Sequence, residues 1–176
     1  MKYLLSDIAQ IVGGQLLGRD LEVTSVATDS RSYALTHDTL FVAMQGVNHD
    51  AHGHIAEVIE RGVKAFMVER KVELAEGCGA IVVKNSLTAL QHLAAHHRNT
   101  FKGTVVGITG SNGKTTIKEW IAQCAPREAK IFRSPRSYNS QLGVALSLLM
   151  LDNSCDVAII EAGISQRGEM ERLYQM

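Results

Sequence analysis

Cysteine is scarce in this chain and poorly spaced for chemistry. Its three cysteines, Cys78, Cys124 and Cys155, are far apart and odd in number. They offer neither a disulfide framework nor a metal-ligand spacing, so a reducing, cytoplasmic setting is the simpler expectation. Net charge is lacking too, because 18 Lys and Arg balance 18 Asp and Glu. That excludes a basic field for nucleic acid and a charged tail. No apolar run is long enough to cross a bilayer. Met1-Lys2-Tyr3-Leu4-Leu5 runs straight into Ser6-Asp7, without the apolar core of a signal peptide. Internal repeats and low-complexity segments are also missing. What remains is a globular chain of 176 residues, enough for one large or two small domains and expected to engage neither nucleic acid nor membrane.

What the chain does have is a β-branched apolar run that turns sharply into a helix: Val105-Val106-Gly107-Ile108-Thr109-Gly110-Ser111-Asn112-Gly113-Lys114-Thr115-Thr116. Gly110 and Gly113 permit positive φ and let backbone N–H groups approach an oxygen with no Cβ in the way. Successive N–H groups in such a turn form an anion cup, and the helix starting near Thr115 adds its positive end. Lys114 would neutralise phosphate charge, and the Thr115 hydroxyl would ligate Mg²⁺. The loop departs from the strict phosphate-loop string, whose first glycine would fall at Ile108; here it comes at Gly110.

Alternating strands and helices predict a parallel sheet with helices on its faces, an α/β fold whose ligands sit at the carboxyl ends of the strands. In the first part, Ser6 is expected to cap a helix that Gly13-Gly14 ends. Short strands follow at residues 15–17 and 22–26. Apolar runs at residues 39–44, 65–68 and 80–83 read as buried strands. Thr28-Asp29-Ser30-Arg31 reads locally as an Asx-type turn. Residues 47–54 are polar and carry His49, His52 and His54, with a helix after them. Asn85 or Ser86 caps a helix ending near Arg98-Asn99, and Thr100-Phe101-Lys102-Gly103 looks like a linker. The domain boundary is therefore placed near Lys102, giving residues 1–102 and 103–176.

In the second part, Ile117, Trp120, Ile121 and Cys124 recur at i, i+3, i+4 and i+7 after the glycine turn, predicting a core-facing stripe. Pro126 stops that helix. Then come a short strand at Ile131-Phe132, a polar loop, a buried apolar helix over 142–151 and a strand over 156–161. That last strand ends in Glu161, on the same rim as the glycine turn. A hydroxyl from Thr115 and a carboxylate from Glu161 suit Mg²⁺, which takes few protein oxygens besides phosphate and water.

Gly110-Ser111-Asn112-Gly113-Lys114-Thr115-Thr116 resembles the ATP loop of the Mur ligases, whose first glycine is shifted in the same way. Glu161-Ala162-Gly163 resembles their Mg²⁺-binding Glu-x-Gly. Thr28-Asp29-Ser30-Arg31, Leu40-Phe41-Val42-Ala43 and Gly46…Asp50-Ala51-His52 are similar to their UDP-sugar-binding amino-terminal domain. The Asp-Ala-His form points to the branch that adds D-alanyl-D-alanine to a UDP-N-acetylmuramoyl-tripeptide. Ser134-Pro135-Arg136-Ser137-Tyr138-Asn139-Ser140-Gln141, with Glu161 to Ser165, resembles versions fused to an alanine racemase. The resemblance implies ATP held by Thr109 to Thr116, Mg²⁺ on Thr115 and Glu161, and the UDP group on Asp29, Ser30 and Arg31. It also implies Lys114 and Asn139 near the reacting groups, and a reaction through an acyl phosphate.

In that family the ATPase domain continues and a third domain follows, so this polypeptide is expected to be a fragment that ligates nothing alone. His92 and His96, four apart on a helix, read as a solvated face, and no metal is assigned to His49, His52 and His54. A non-catalytic sugar-nucleotide-binding module would have no use for Lys114 and Glu161. A folylpolyglutamate-type ligase would lack the first hundred residues, and a plain phosphate-loop NTPase accounts for fewer of the motifs.

Overall fold

A computed structural model describes residues 1–46, 50–136 and 138–176. Val47, Asn48 and His49 of the histidine segment and Ser137 of the polar loop lie outside the described residues. The chain forms two compact units, Met1–Leu93 and Ala94–Met176. They part within helix α3 (Ser86–Thr100), upstream of the linker expected at residues 100–103.

The first unit is built on a five-stranded sheet in the order β2-β7-β6-β5-β4. β4 (Ser25–Ala27), β5 (Thr39–Val42), β6 (Ala65–Val68) and β7 (Gly79–Val82) run parallel, and β2 (Gln15–Gly18) lies antiparallel on the edge. β5 and β6 are buried at every position. Unbroken apolar runs are what a central parallel strand needs when both its faces are covered. Phe41 and Phe66, paired across β5 and β6, meet edge to face with centroids 6.4 Å apart. Such a pair adds about 1 kcal/mol beyond the area it buries.

Two local expectations are corrected. Ser6 does not cap α1 (Leu5–Val12); Leu4 holds the cap position, and the Ser6 N–H donates to Asp20 Oδ1 at 2.9 Å. The acceptor an N-terminal turn requires comes from a carboxylate fourteen residues on. Gly13, in the left-handed region, ends the helix as expected. The strand expected over 22–26 is two strands. β3 (Glu22–Val23) pairs with β1 (Tyr3–Leu4), while β4 pairs with β5. Thr24 leaves the ladder between them, its N–H donating to the Asp38 carbonyl and its hydroxyl to the Asp38 carboxylate.

The second unit holds a parallel sheet of three strands in the order β8-β10-β9: Thr104–Ile108, Val157–Glu161 and Ile131–Arg133. α4 (Lys114–Cys124) and α5 (Gln141–Leu149) pack on it, and α6 (Glu169–Tyr174) follows β10. α5 buries most of its residues, as its composition requires. α4 does the opposite of what its periodicity predicts. Ile117, Ile121 and Cys124 are exposed, Trp120 is 63% exposed, and the residue it buries is Lys118. The glycine turn fixes the rotation of this helix. Thr115 must face Glu161, so Thr115, Lys118 and Ala122 lie toward the sheet and the apolar stripe turns off it.

Candidate functional site

In the second unit the chemistry gathers where β8 and β10 end. Ile108 and Glu161 are register partners, so the glycine turn and the carboxylate leave the sheet side by side. Gly110 has φ 147° and Gly113 φ 76°, both in the region that favours glycine. Gly113 is also the N-cap of α4 and has no side chain to cap with. The first-turn N–H groups of α4 are thus left facing the turn, which is what an anion site uses. Lys114 Nζ donates to the Gly110 carbonyl at 2.7 Å on the exposed side of the loop. That bond folds the ammonium over its own turn.

Glu161 is 1% exposed and receives several donors. The Thr115 hydroxyl lies 3.0 and 2.8 Å from its two oxygens, and Asn139 Nδ2 donates to Oε1 at 2.9 Å. Lys118 Nζ stands 3.5 Å from Oε2. Burial, the largest single influence on this carboxyl, raises its pKa. The Asn139 and Thr115 hydrogen bonds and the Lys118 charge together outweigh it, so the group sits below the usual carboxylate range. Adjacent ligands of an octahedral Mg²⁺ with bonds of about 2.0–2.1 Å lie about 2.9 Å apart. The Thr115–Glu161 oxygen separations match that spacing, so the two residues fit the ion.

Two glycines set the surroundings. Gly163 N–H donates to the Asn139 carbonyl at 2.7 Å, and a Cβ there would come within 3.1 Å of Asn139 Cγ. The glycine of Glu161-Ala162-Gly163 is thereby explained by the close approach of Asn139. At Gly143, in the first turn of α5 and capped by Ser140 Oγ at 3.1 Å, a Cβ would meet the backbone of Tyr138 at 2.8 Å. Backbone cannot swing aside as a side chain can. Gly143→Ala is therefore expected to destabilise this unit by about 1–3 kcal/mol and to displace Asn139, read as a lowered Tm together with shifted Asn139 side-chain amide resonances.

In the first unit, Thr28, Asp29, Ser30 and Arg31 line a cavity of about 690 Å³ with Ala51, His54 and Glu57. The Asx turn is present: Asp29 Oδ1 accepts the Arg31 N–H at 2.9 Å. The Arg31 guanidinium closes on the same carboxylate through Nε and Nη2, each at 2.9 Å, which raises its pKa. Arg61, ending α2 (Ile55–Glu60), donates to the Ser30 and Ser32 carbonyls and clamps the turn from outside. Sequence reasoning passed over Arg61.

The Asp50-Ala51-His52 segment supports one wall of this cavity. His52 is buried, its Nδ1 2.6 Å from Asp50 Oδ1, while its Nε2 accepts the Glu69 N–H at 2.9 Å. An accepting Nε2 puts the proton on Nδ1. Both ring nitrogens are thus engaged within the unit. Asp50 also takes Arg70 Nη2 at 2.7 Å; this bond above all, with those from His52, holds its carboxyl well below the usual range. Among the described residues no cluster of three or more His, Cys, Asp or Glu is placed to hold a metal, and His92 and His96 are exposed on α3.

Sequence reasoning also missed Lys118. The available signal was its place between Thr115 and Ala122, at i, i+3 and i+7 on the helix face with small residues.

Residues 108–176 match the family described as the Mur ligase middle domain. Along its whole length the chain is 32% identical to a UDP-N-acetylmuramoyl-tripeptide–D-alanyl-D-alanine ligase of Bacillus subtilis, of which it covers 39%. Its fold is similar to that of the UDP-N-acetylmuramoylalanyl-D-glutamyl-2,6-diaminopimelate–D-alanyl-D-alanyl ligase of Acinetobacter baumannii, with TM-score 0.89 and 29% identity, over 98% of this chain and 39% of that one. A MurF ligase of Thermotoga maritima, solved in complex with ADP, matches 86% of this chain and 34% of its own, with TM-score 0.74 and 30% identity. The chain thus spans well under half the length of these relatives.

Proposed function

We propose that this chain, whose residues 108–176 match the Mur ligase middle domain family, carries the nucleotide-sugar-binding and ATP-binding parts of an ATP-dependent amide ligase of peptidoglycan precursor synthesis. In this reading the reaction adds D-alanyl-D-alanine to a UDP-N-acetylmuramoyl-tripeptide. The observation that carries it is the convergence of Thr115 and Asn139 on a buried Glu161 beside the Lys114 loop. The alignment with the Bacillus ligase runs through the first unit as well. That speaks against a folylpolyglutamate-type ligase, and Lys114 with Glu161 speaks against a module that only binds.

The first unit takes the UDP portion at the cavity of Asp29, Ser30 and Arg31. The second cups the ATP phosphates in the N–H groups of residues 109–116, with Lys114 neutralising their charge. Thr115 and Glu161 would hold Mg²⁺, which supplies further charge neutralisation at the phosphates. The γ-phosphoryl group passes to a terminal carboxylate oxygen of the tripeptide, leaving ADP and an acyl phosphate. The dipeptide amine then attacks that carbonyl carbon; the C–N bond forms, and the C–O bond breaks to release phosphate. Little covalent work falls to the protein, so positioning and electrostatics dominate. Asn139 acts here on Glu161, keeping the carboxylate turned toward Thr115. The setting is the cytoplasm, and the motifs at residues 134–141 and 161–165 support a form fused to an alanine racemase.

Isothermal titration of the 176-residue chain tests this reading. UDP-N-acetylmuramoyl-tripeptide and MgADP are each expected to bind, Asp29→Ala with Arg31→Ala abolishing the first and sparing the second. With ATP and both substrates, this chain alone is expected to form no peptide bond. Failure to bind either ligand would overturn the assignment.

A further inference from the structure

Lys118 is fully buried. An ammonium withdrawn from water costs several kcal/mol unless its hydrogen bonds are met. Here they are met within the protein. Nζ donates to the Ser134 carbonyl at 2.9 Å and to the Arg136 carbonyl, and stands 3.5 Å from Glu161 Oε2. An ammonium has three protons, and three oxygens take them. No donor remains for a substrate, in contrast to Lys114, which among the described residues bonds a carbonyl of its own exposed turn.

Apart from Glu119 Oε1 of its own helix, 3.7 Å from Nζ, the partners of Lys118 belong to the wall around Glu161. Ser134 is tied to β10 twice, its N–H donating to the Ile159 carbonyl at 2.9 Å and its Oγ accepting the Glu161 N–H at 3.1 Å. Arg136 has φ 47°, a conformation that residues other than glycine seldom adopt. Its carbonyl is bonded to Lys118. Three residues on, Asn139 reaches Glu161 Oε1.

We propose that Lys118 is the positioning residue of the cation site: through the Ser134 and Arg136 carbonyls it holds the loop after β9 so that Asn139, Thr115 and Glu161 present a preset pair of oxygens to a divalent ion. The inference rests on the nucleotide reading above. Charge and geometry make opposite demands. By Coulomb's law alone, removing a cation beside Glu161 strengthens Mg²⁺ binding. Loss of positioning weakens it, by about tenfold or more where outer-shell partners have been removed from other metal sites.

The test is ADP affinity with Mg²⁺ and with EDTA, in the wild-type chain and in Lys118→Met, which keeps the length and loses the donors. The wild type is expected to gain affinity from Mg²⁺. The variant should lose about tenfold of that gain while binding ADP in EDTA as the wild type does, and Lys118→Arg should recover part of it. An unchanged or larger Mg²⁺ response in Lys118→Met overturns the inference and leaves the nucleotide reading intact. A wild type that binds no ADP overturns both. Should Lys118→Met fail to fold, acetic anhydride footprinting of the wild type decides. Lys118 should stay unlabelled with or without MgADP, while Lys114 is labelled and then protected; a Lys118 labelled as readily as Lys114 refutes the enclosure the inference requires.

Discussion

Replacing Lys114 by alanine is expected to weaken MgADP binding by this chain between ten- and a hundredfold. The ammonium is exposed, and its contact with the Gly110 carbonyl is a bond to its own loop. Its loss therefore costs the fold little. A charged hydrogen bond to a phosphate oxygen is worth about 1.5–3 kcal/mol, and each 1.4 kcal/mol is a tenfold change in affinity. UDP-sugar binding by the first unit should not change, because Asp29, Ser30 and Arg31 lie in Met1–Leu93 and Lys114 in Ala94–Met176. In a full-length ligase containing this chain, turnover should fall further, by about 10²–10³-fold, the scale seen when a donor to developing transition-state charge is deleted. Titration calorimetry of the chain and steady-state kinetics of the longer enzyme give the two readings. A Lys114→Ala chain that binds MgADP within twofold of wild type removes this lysine from the phosphate site.

Residues whose roles follow from the local backbone were legible in the sequence. Gly110 and Gly113 take the positive φ the turn demands. The runs at β5, β6 and β10 have the apolar character of buried strands, and their ends placed the glycine turn and Glu161 on one rim. What stayed hidden depended on partners distant in sequence. Asp20, not Ser6, serves the α1 N-terminus. Arg61 clamps a turn some thirty residues before it. Periodicity also misled where two demands competed. Ile117, Trp120 and Ile121 have ideal spacing for a core stripe. Turning them inward would carry Thr115 away from Glu161 and expose the Lys118 that binds the Ser134 and Arg136 carbonyls. The Thr115 and Lys118 contacts win, and the apolar stripe remains exposed within this chain. A hydrophobic pattern reports that a face can be buried; which face meets this sheet is decided by the loop before the helix.

Glu161→Gln is expected to be as damaging as a non-conservative change. Three donors, from Thr115, Asn139 and Lys118, converge on the two carboxylate oxygens. An amide offers one acceptor oxygen, and its NH₂ would confront another donor. Thr115 can turn its hydroxyl to accept, but Lys118 would keep its buried charge with its two carbonyl partners and the more distant Glu119 carboxylate at 3.7 Å. Removing one member of a buried pair costs about 3–5 kcal/mol; the retained carbonyls bring the expectation here to about 2–3 kcal/mol, of order 10 °C in Tm. Trp120, the single tryptophan, lies in the same unit and reports its unfolding. The Mg²⁺-dependent gain in ADP affinity should vanish as well.

Acidity supplies an independent check on the same carboxylate. The pKa of Glu161 is lower in the fold than in the unfolded chain, because its partners outweigh burial. Its ionised form therefore stabilises the fold at every pH above the unfolded value, about 4.3, and that contribution is lost as pH falls through the folded value. The gap in stability between wild type and Glu161→Gln should stay constant from neutral pH down to about pH 5 and close only below that. A gap that closes nearer neutrality means that burial has won, that Glu161 is protonated before its partners can hold it, and that the Thr115–Glu161 pair is no anionic cation site at working pH.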